Sequence, residues 1–393
     1  KDIFRQQAGG ILGMFNMFAG GALGRMTIFA LNIMPYISAA IIMQLMTSIS
    51  PSMSQLKKEG AQGQKKINQY TRYLTVLIAA MQAYGMAVGI EGMRGSGGSA
   101  VINPGGFFRF TAVITLVGGT MFLMWLGEQI TARGVGNGIS LIIFAGIVAE
   151  LPSALAGTLE LGRTGAISTG IIMAILIMVV FVIYGIVFVE RGQRRLVVQY
   201  PKRQQGNKMY GGENSHLPLK LNTSGVIPLI FASSLLLMPT TVISFMANSG
   251  PEWLTTVSSL LGRGQPSYLI IYSALIAFFA FFYTAVVFNP EETADNLKKN
   301  GGFIPGIRPG KNTAEYLEYV TTRLTVVGAI YLVAVALLPE ILISNWSVPF
   351  FFGGTSLLIV VTVTMDTVAQ VQSYMLAHQY EGLIKKSRLK GRR

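Results

Sequence analysis

Nine long apolar runs, at residues 24–48, 71–91, 107–129, 138–158, 168–189, 222–246, 267–289, 320–341 and 349–372, leave this chain few ways to fold. Each is about as long as the roughly 20 residues that a helix needs to cross a hydrocarbon layer of about 30 Å. In such a layer every backbone N–H and C=O must be bonded within the protein, which confines these runs to helices. The expected fold class is therefore all-α, a polytopic transmembrane helix bundle. The 51% hydrophobic and 12% charged content of the 393 residues departs from soluble composition in the same direction.

Positive charge alternates from one side of the runs to the other. Alternate connections and the tail hold 24 of the 31 lysines and arginines. They include Lys57, Lys58, Lys65 and Lys66, then Arg133, a dense set in 190–221, a second set in 290–319, and Lys385 to Arg393. The positive-inside rule puts these segments, and the C-terminus, in the cytoplasm. Nine runs then place residue 1 outside, and the simplest expectation is that one more span precedes it, ten in all. The absence of cysteine excludes disulfides and thiolate metal sites.

Catalytic chemistry has little to work with. The two histidines, His216 and His378, lie in a connection and near a run's end, and neither a zinc-protease helix motif nor a phosphate-binding glycine loop occurs. Asp366 lies well inside a run and reads as structural, paired or near the interface; Glu128 reads as interfacial. The chain is expected to be no enzyme and to hold no cofactor or metal. Ion-coupled transporters keep carboxylates near the membrane midplane, so a secondary transporter is the weaker competing reading.

Two pairs of segments look alike. Ile33–Ile42 (IMPYISAAII) matches Val226–Leu235 (VIPLIFASSL), and Gly138–Phe144 (GISLIIF) matches Gly354–Val360 (GTSLLIV). In each pair the second copy comes five spans after the first, so the copies run in opposite directions across the membrane, as in an inverted repeat. The pathway is expected between the two halves, with the matched segments lining it. Residues Ile11 to Phe18, too short to span, read as a re-entrant or cavity-filling stretch. The long basic connections 190–221 and 290–319 are expected to protrude into the cytoplasm.

Several longer stretches are specific: MFNMF and GGAL within 14–23, INQYTRY at 67–73, MFLMWLGEQIT at 121–131, RGVGNGIS at 133–140, VFVERGQRR at 187–195, FFYTAVVFNPEETADNLKK at 281–299, GIRPG at 306–310 and VPFFFGGTSLLI at 348–359. With them the chain closely resembles the SecY family, the channel-forming subunits of the bacterial preprotein translocase, in its proteobacterial form. That family's first transmembrane helix has no counterpart in this sequence.

The resemblance implies two inverted, pseudo-symmetric halves around a central hourglass pore. The segments would be an outer segment with a plug helix (1–23), an N-terminal half (24–158), a C-terminal half (168–372) and a basic cytoplasmic tail (373–393). It implies a pore ring of Ile33, Ile37, Ile139, Ile143, Ile230 and Ile359, a plug including Ile11, Phe15, Phe18, Gly20 and Gly21, and a lateral gate with Pro35, Ser38, Ala39, Pro228, Ala232 and Ser233. It also implies docking of a motor or ribosome through Arg194, Arg195, Lys202, Arg203 and Arg308. The two gate prolines are expected to interrupt and bend their spans. The implied partners are SecE, SecG, the SecA motor, the ribosome with its RNA, signal peptides, unfolded polypeptides and anionic lipid. The implied location is the bacterial inner membrane.

Overall fold

The computed structural model describes residues 21–22, 27–92, 94–95, 98–99, 101–164, 168–200, 203–205, 208–210, 214–246, 265–346 and 354–390. In chain order its helices are α1 (Met34–Ile49), α2 (Pro51–Lys58), α3 (Ala61–Gly92), α4 (Gly106–Arg133), α5 (Gly138–Arg163), α6 (Thr169–Arg191), α7 (Ile227–Met246), α8 (Pro266–Val287), α9 (Pro290–Lys299), α10 (Lys311–Trp346) and α11 (Gly354–Lys390). Seven of them, α3 to α6, α8, α10 and α11, carry an apolar stretch long enough to cross a membrane. The apolar part of α1 and the described apolar part of α7 are shorter. Each expected run thus corresponds to one helix, and the chain is a multi-pass membrane protein.

The helix bounds depart from the expected runs where polarity and helicity part company. α10 starts at Lys311, not at residue 320, because its polar first turns are good helix formers; its 36 residues span about 54 Å at 1.5 Å per residue. α1 starts ten residues later than its run, after a series of turns over 28–33. The expectation that Pro35 and Pro228 bend their spans is corrected. Each is the second residue of its helix, where a missing N–H has no partner to lose and a fixed φ favours the start.

Packing follows the repeat. α1 contacts α7, and α5 contacts α11, so each helix that carries a matched segment packs against its own mate. α7 also packs on α3 and α8, and α11 on α6 and α10. Phe231 anchors α7 edge-on to Phe279 and Tyr283 of α8, at 5.8 and 6.2 Å between ring centres. Many apolar side chains on the outer faces are exposed, among them Phe181, Tyr184 and Phe188 of α6, which suits contact with lipid.

The two long basic connections are one folded unit, a feature not expected for loops. After a short antiparallel pair, β1 (Arg94–Gly95) with β2 (Gly98–Ser99), β3 (Gln193–Gln199) pairs antiparallel with β6 (Asn214–Lys220), and β4 (Arg203–Gln205) pairs with β5 (Lys208–Tyr210). Along β3 the side chains alternate, with Leu196 and Val198 buried and Arg195 and Val197 exposed. Leu196 and Leu219 join Ala294, Ile304, Leu317 and Leu324 in a small second core. Gln199 and Phe303 exchange N–H···O bonds of 2.9 and 3.0 Å, which tie the hairpin to the 300–310 connection. A two-stranded hairpin is marginal alone, and this core is what holds it.

Candidate functional site: a ring of isoleucines between repeat mates

Five of the six ring isoleucines, Ile33, Ile37, Ile143, Ile230 and Ile359, are buried in the main core cluster, and Ile139 is half-buried against it. All six come from the start of a helix. Ile33 is the N-cap of α1 and Ile37 lies in its first turn; Ile139 and Ile143 lie in the first two turns of α5. Ile230 lies in the first turn of α7 and Ile359 in the second turn of α11. Ile37 and Ile230 occupy equivalent positions in their matched segments, as do Ile143 and Ile359. The backbone repeats as well: Ile37 N–H donates to the Ile33 carbonyl and Ile230 N–H to the Val226 carbonyl, each at 3.2 Å. A branched apolar side chain at such a point offers no hydrogen bond to a passing chain and favours loss of water from a narrow space.

The six residues expected at a gate lie on α1 and α7, two helices that pack on each other. Pro35, Ser38, Ala39, Pro228, Ala232 and Ser233 are all buried. The hydroxyls bond back within their own helices, Ser38 to the Met34 carbonyl at 3.3 Å and Ser233 to the Leu229 carbonyl at 2.9 Å. Neither hydroxyl bridges α1 and α7, and small side chains at such positions permit a close contact of low directional strength. α3 belongs to the same junction, since it packs on both α1 and α7, and the sequence reading did not include it. Its alanines Ala79, Ala83 and Ala87 recur every fourth residue and are fully buried, a signal that was present in the sequence.

Of the plug residues, Ile11, Phe15, Phe18 and Gly20 lie outside the described residues. Gly21 is buried in a turn at φ 75°, a left-handed conformation natural to glycine. Of the docking residues, Arg194 and Arg195 are exposed on β3, Arg203 starts β4, and Lys202 lies outside the described residues. Arg308 is exposed between Gly306 and Gly310, whose φ values are 83° and 108°, and its carbonyl accepts from the Thr313 hydroxyl at 3.0 Å.

A polar hollow of about 230 Å³ opens where α5, α6, α7, α8 and α11 come together, and it was not legible in the sequence. Asn222, which is buried, donates to Glu190 at 2.8 Å and to the Gly225 carbonyl at 3.0 Å, and accepts from Ser224 at 3.0 Å. Gly136 N–H donates to Gln370 at 2.8 Å, joining the start of α5 to α11. Asp366 lies 3.9 Å from Lys220, so this acid within an apolar run is paired with the end of the hairpin. Glu128 forms a two-pronged pair with Arg72, at 3.1 and 2.6 Å, linking α4 to α3.

Known proteins fit this arrangement. The profile of the SecY family matches residues 27–368. The chain belongs to the SecY family. The protein translocase subunit SecY of Escherichia coli strain K12 is 57% identical over 390 residues, covering 99% of this chain and 88% of that one. A solved protein-conducting channel superposes with a TM-score of 0.70 at 18% identity, covering 92% of this chain and 84% of that one. Sec61 in a canine ribosome–channel complex superposes with a TM-score of 0.65 at 17% identity, over 92% and 84%. At such identities the two structures speak for the fold alone. The family assigns the chain to the translocase as a channel subunit and not an enzyme.

Proposed function

We propose that the six isoleucines form the seal of a passive protein-conducting pore between an N-terminal half (24–158) and a C-terminal half (168–372). The observation that carries this reading is their common origin in the first two turns of four helices, paired mate to mate across the repeat. Residues 11–21 plug the outer side, and parting of α1 from α7 opens the pore to lipid for signal peptides and membrane segments. Unfolded polypeptide crosses the bacterial inner membrane with the C-terminus in the cytoplasm.

Arg194, Arg195, Lys202, Arg203 and Arg308 form a cationic platform for a motor such as SecA or for the ribosome. Ribosomal docking is supported by the fold shared with a channel solved on a ribosome. SecE, SecG and anionic lipid complete the assembly. Bidentate guanidinium contacts to phosphate or carboxylate supply the chemistry of docking.

The test is ion conductance of the purified channel in liposomes. Serine at Ile37, Ile143, Ile230 and Ile359 together raises the resting leak at least severalfold, because hydroxyls hold water in the constriction. A leak equal to that of the unaltered protein, at equal incorporation, overturns the ring.

A further inference from the structure

The polar hollow among α5, α6, α7, α8 and α11 carries acceptors that the protein itself does not use. Its lining sets two carboxylates, Glu190 of α6 and Asp366 of α11, against one cation, Lys220 at the end of β6. Asn222 donates to Glu190 Oε1 at 2.8 Å, and Oε2 has no hydrogen-bond partner among the described residues. Lys220 is the one ion-pair partner of Asp366 among the described residues, and its Nζ stands 3.9 Å away, too far for a hydrogen bond. The hollow thus keeps one negative charge in excess, on a chain with a net charge of +14.

A second feature points to an occupant. Thr362 lines the hollow at 4% exposure, and its covered hydroxyl has no hydrogen-bond partner. Its neighbours behave otherwise: Thr364 and Thr367 donate to carbonyls one turn back, each at 2.7 Å. A buried hydroxyl left unbonded is costly, and this one fits a ligand that bonds it. Thr362, Asp366 and Gln370 follow at four-residue spacing on one face of α11, and all three line the hollow. At 1.5 Å per residue this column is about 12 Å long, with Thr362 covered at one end and Gln370 exposed at the other.

We propose that this hollow binds a guanidinium group, borne by an arginine side chain of an unfolded polypeptide or by a free small guanidine. The group is planar, carries five N–H donors and matches carboxylates two bonds at a time. Glu190 Oε2, the Asp366 carboxylate and the Thr362 hydroxyl are the acceptors left over for it. A slot of about 230 Å³ is too large for a bare metal ion and suits a long side chain with a cationic tip. Lys220, which is exposed, turns to solvent as the ligand takes Asp366. A chain in the proposed pore would pass close by, since Ser140 follows Ile139 and Thr362 lies one turn after Ile359. Binding itself does not rest on the pore reading, and its test uses no transport.

The test uses the full chain in nanodiscs of zwitterionic lipid. The probe is a flexible glycine–serine peptide with one arginine beside a photoreactive diazirine residue, and mass spectrometry locates the label. Labelling is expected within 220–227 and 362–370. The same peptide with citrulline, which keeps the shape and loses the charge, labels these segments about tenfold less, a difference of about 1.4 kcal/mol. Glu190→Gln with Asp366→Asn causes a similar loss, and Thr362→Val, which deletes the hydroxyl and keeps the shape, lowers labelling severalfold. Asp366→Asn alone, at an exposed position, gives a smaller loss should the double variant fold poorly. Displacement by agmatine at the peptide's own concentration assigns the site to free guanidines, and displacement only in large excess assigns it to polypeptide.

Equal labelling by the arginine and citrulline peptides overturns the proposal. Labelling that survives neutralisation of the two acids or loss of the Thr362 hydroxyl does the same. Equal labelling by a peptide with lysine in place of arginine shows that charge alone suffices and also overturns the guanidinium site.

Discussion

Asn32 and Gly225 hold the same left-handed backbone, at φ 49° and 63°, and each lies two residues ahead of the first helical residue of its repeat mate, α1 or α7. Asn32 is the only non-glycine with positive φ among the described residues. Its side chain meets part of the cost by accepting the Ile33 N–H at 2.8 Å. The turn that aims Ile33 and Ile37 on one side, and Ile230 on the other, is thus conserved in shape between the halves while its residue differs.

Replacing Asn32 by Val forces a β-branched residue into that turn and is expected to cost about 1–2 kcal/mol or more. Asn32→Gly is expected to be nearly neutral, and Gly225→Val to behave like Asn32→Val. Thermal unfolding of the purified protein in detergent checks the order. A valine at position 32 as stable as glycine there contradicts it.

Asn222→Ala leaves Glu190 and the Gly225 carbonyl without their donor in a buried place. A loss of about 1–3 kcal/mol is expected. Hydrogen exchange of the backbone at 222–227 should quicken with it, since Asn222 holds the entry to α7. Unaltered exchange there would show that the hub does not restrain the gate helix.

Gly138→Ala would drive a methyl into the Gly127 carbonyl oxygen, a backbone atom that cannot step aside. α4 and α5 then separate at the level of Ile139, at a cost of about 1–3 kcal/mol. The measurement is again the melting temperature, with Gly118→Ala as control, because open space surrounds that position. Equal melting temperatures for the two variants rule out the close approach.

Arg308→Glu reverses one exposed charge at a glycine-bounded turn and touches no core contact. Stability is expected to change by less than about 0.5 kcal/mol. Motor-driven or ribosome-coupled export in cells lacking the unaltered protein should fall sharply. Normal export by that variant removes Arg308 from the docking surface.

The membrane-crossing helices were legible because lipid penalises every unbonded backbone group, so nine apolar runs could only be helices. Their starts were not. Pro35 and Pro228 read as bends from composition, and only the turns at Asn32 and Gly225 show that they open helices instead. The ring isoleucines stood on the four repeated segments in the sequence, although an isoleucine in a membrane helix is ordinarily just packing. The hairpin at 193–220 was not legible, because RRLVVQ runs two charges into three apolar residues without the alternation that marks a strand, and only the folded hairpin separates buried Leu196 and Val198 from exposed Val197. Asn222, Glu190 and Gln370 had no signal at all: their meeting depends on five helices arriving at one place.

The origin of the ring in helix starts has an electrical consequence. Each helix N-terminus carries roughly half a positive charge, and a seal built as proposed would set four of them beside one constriction. A cation that sheds its hydration there meets repulsion from every side, while a chloride ion meets attraction. Reversal potentials of the serine-substituted ring should therefore favour anions. A seal that leaks anions first preserves a cation gradient even while it flexes around its cargo.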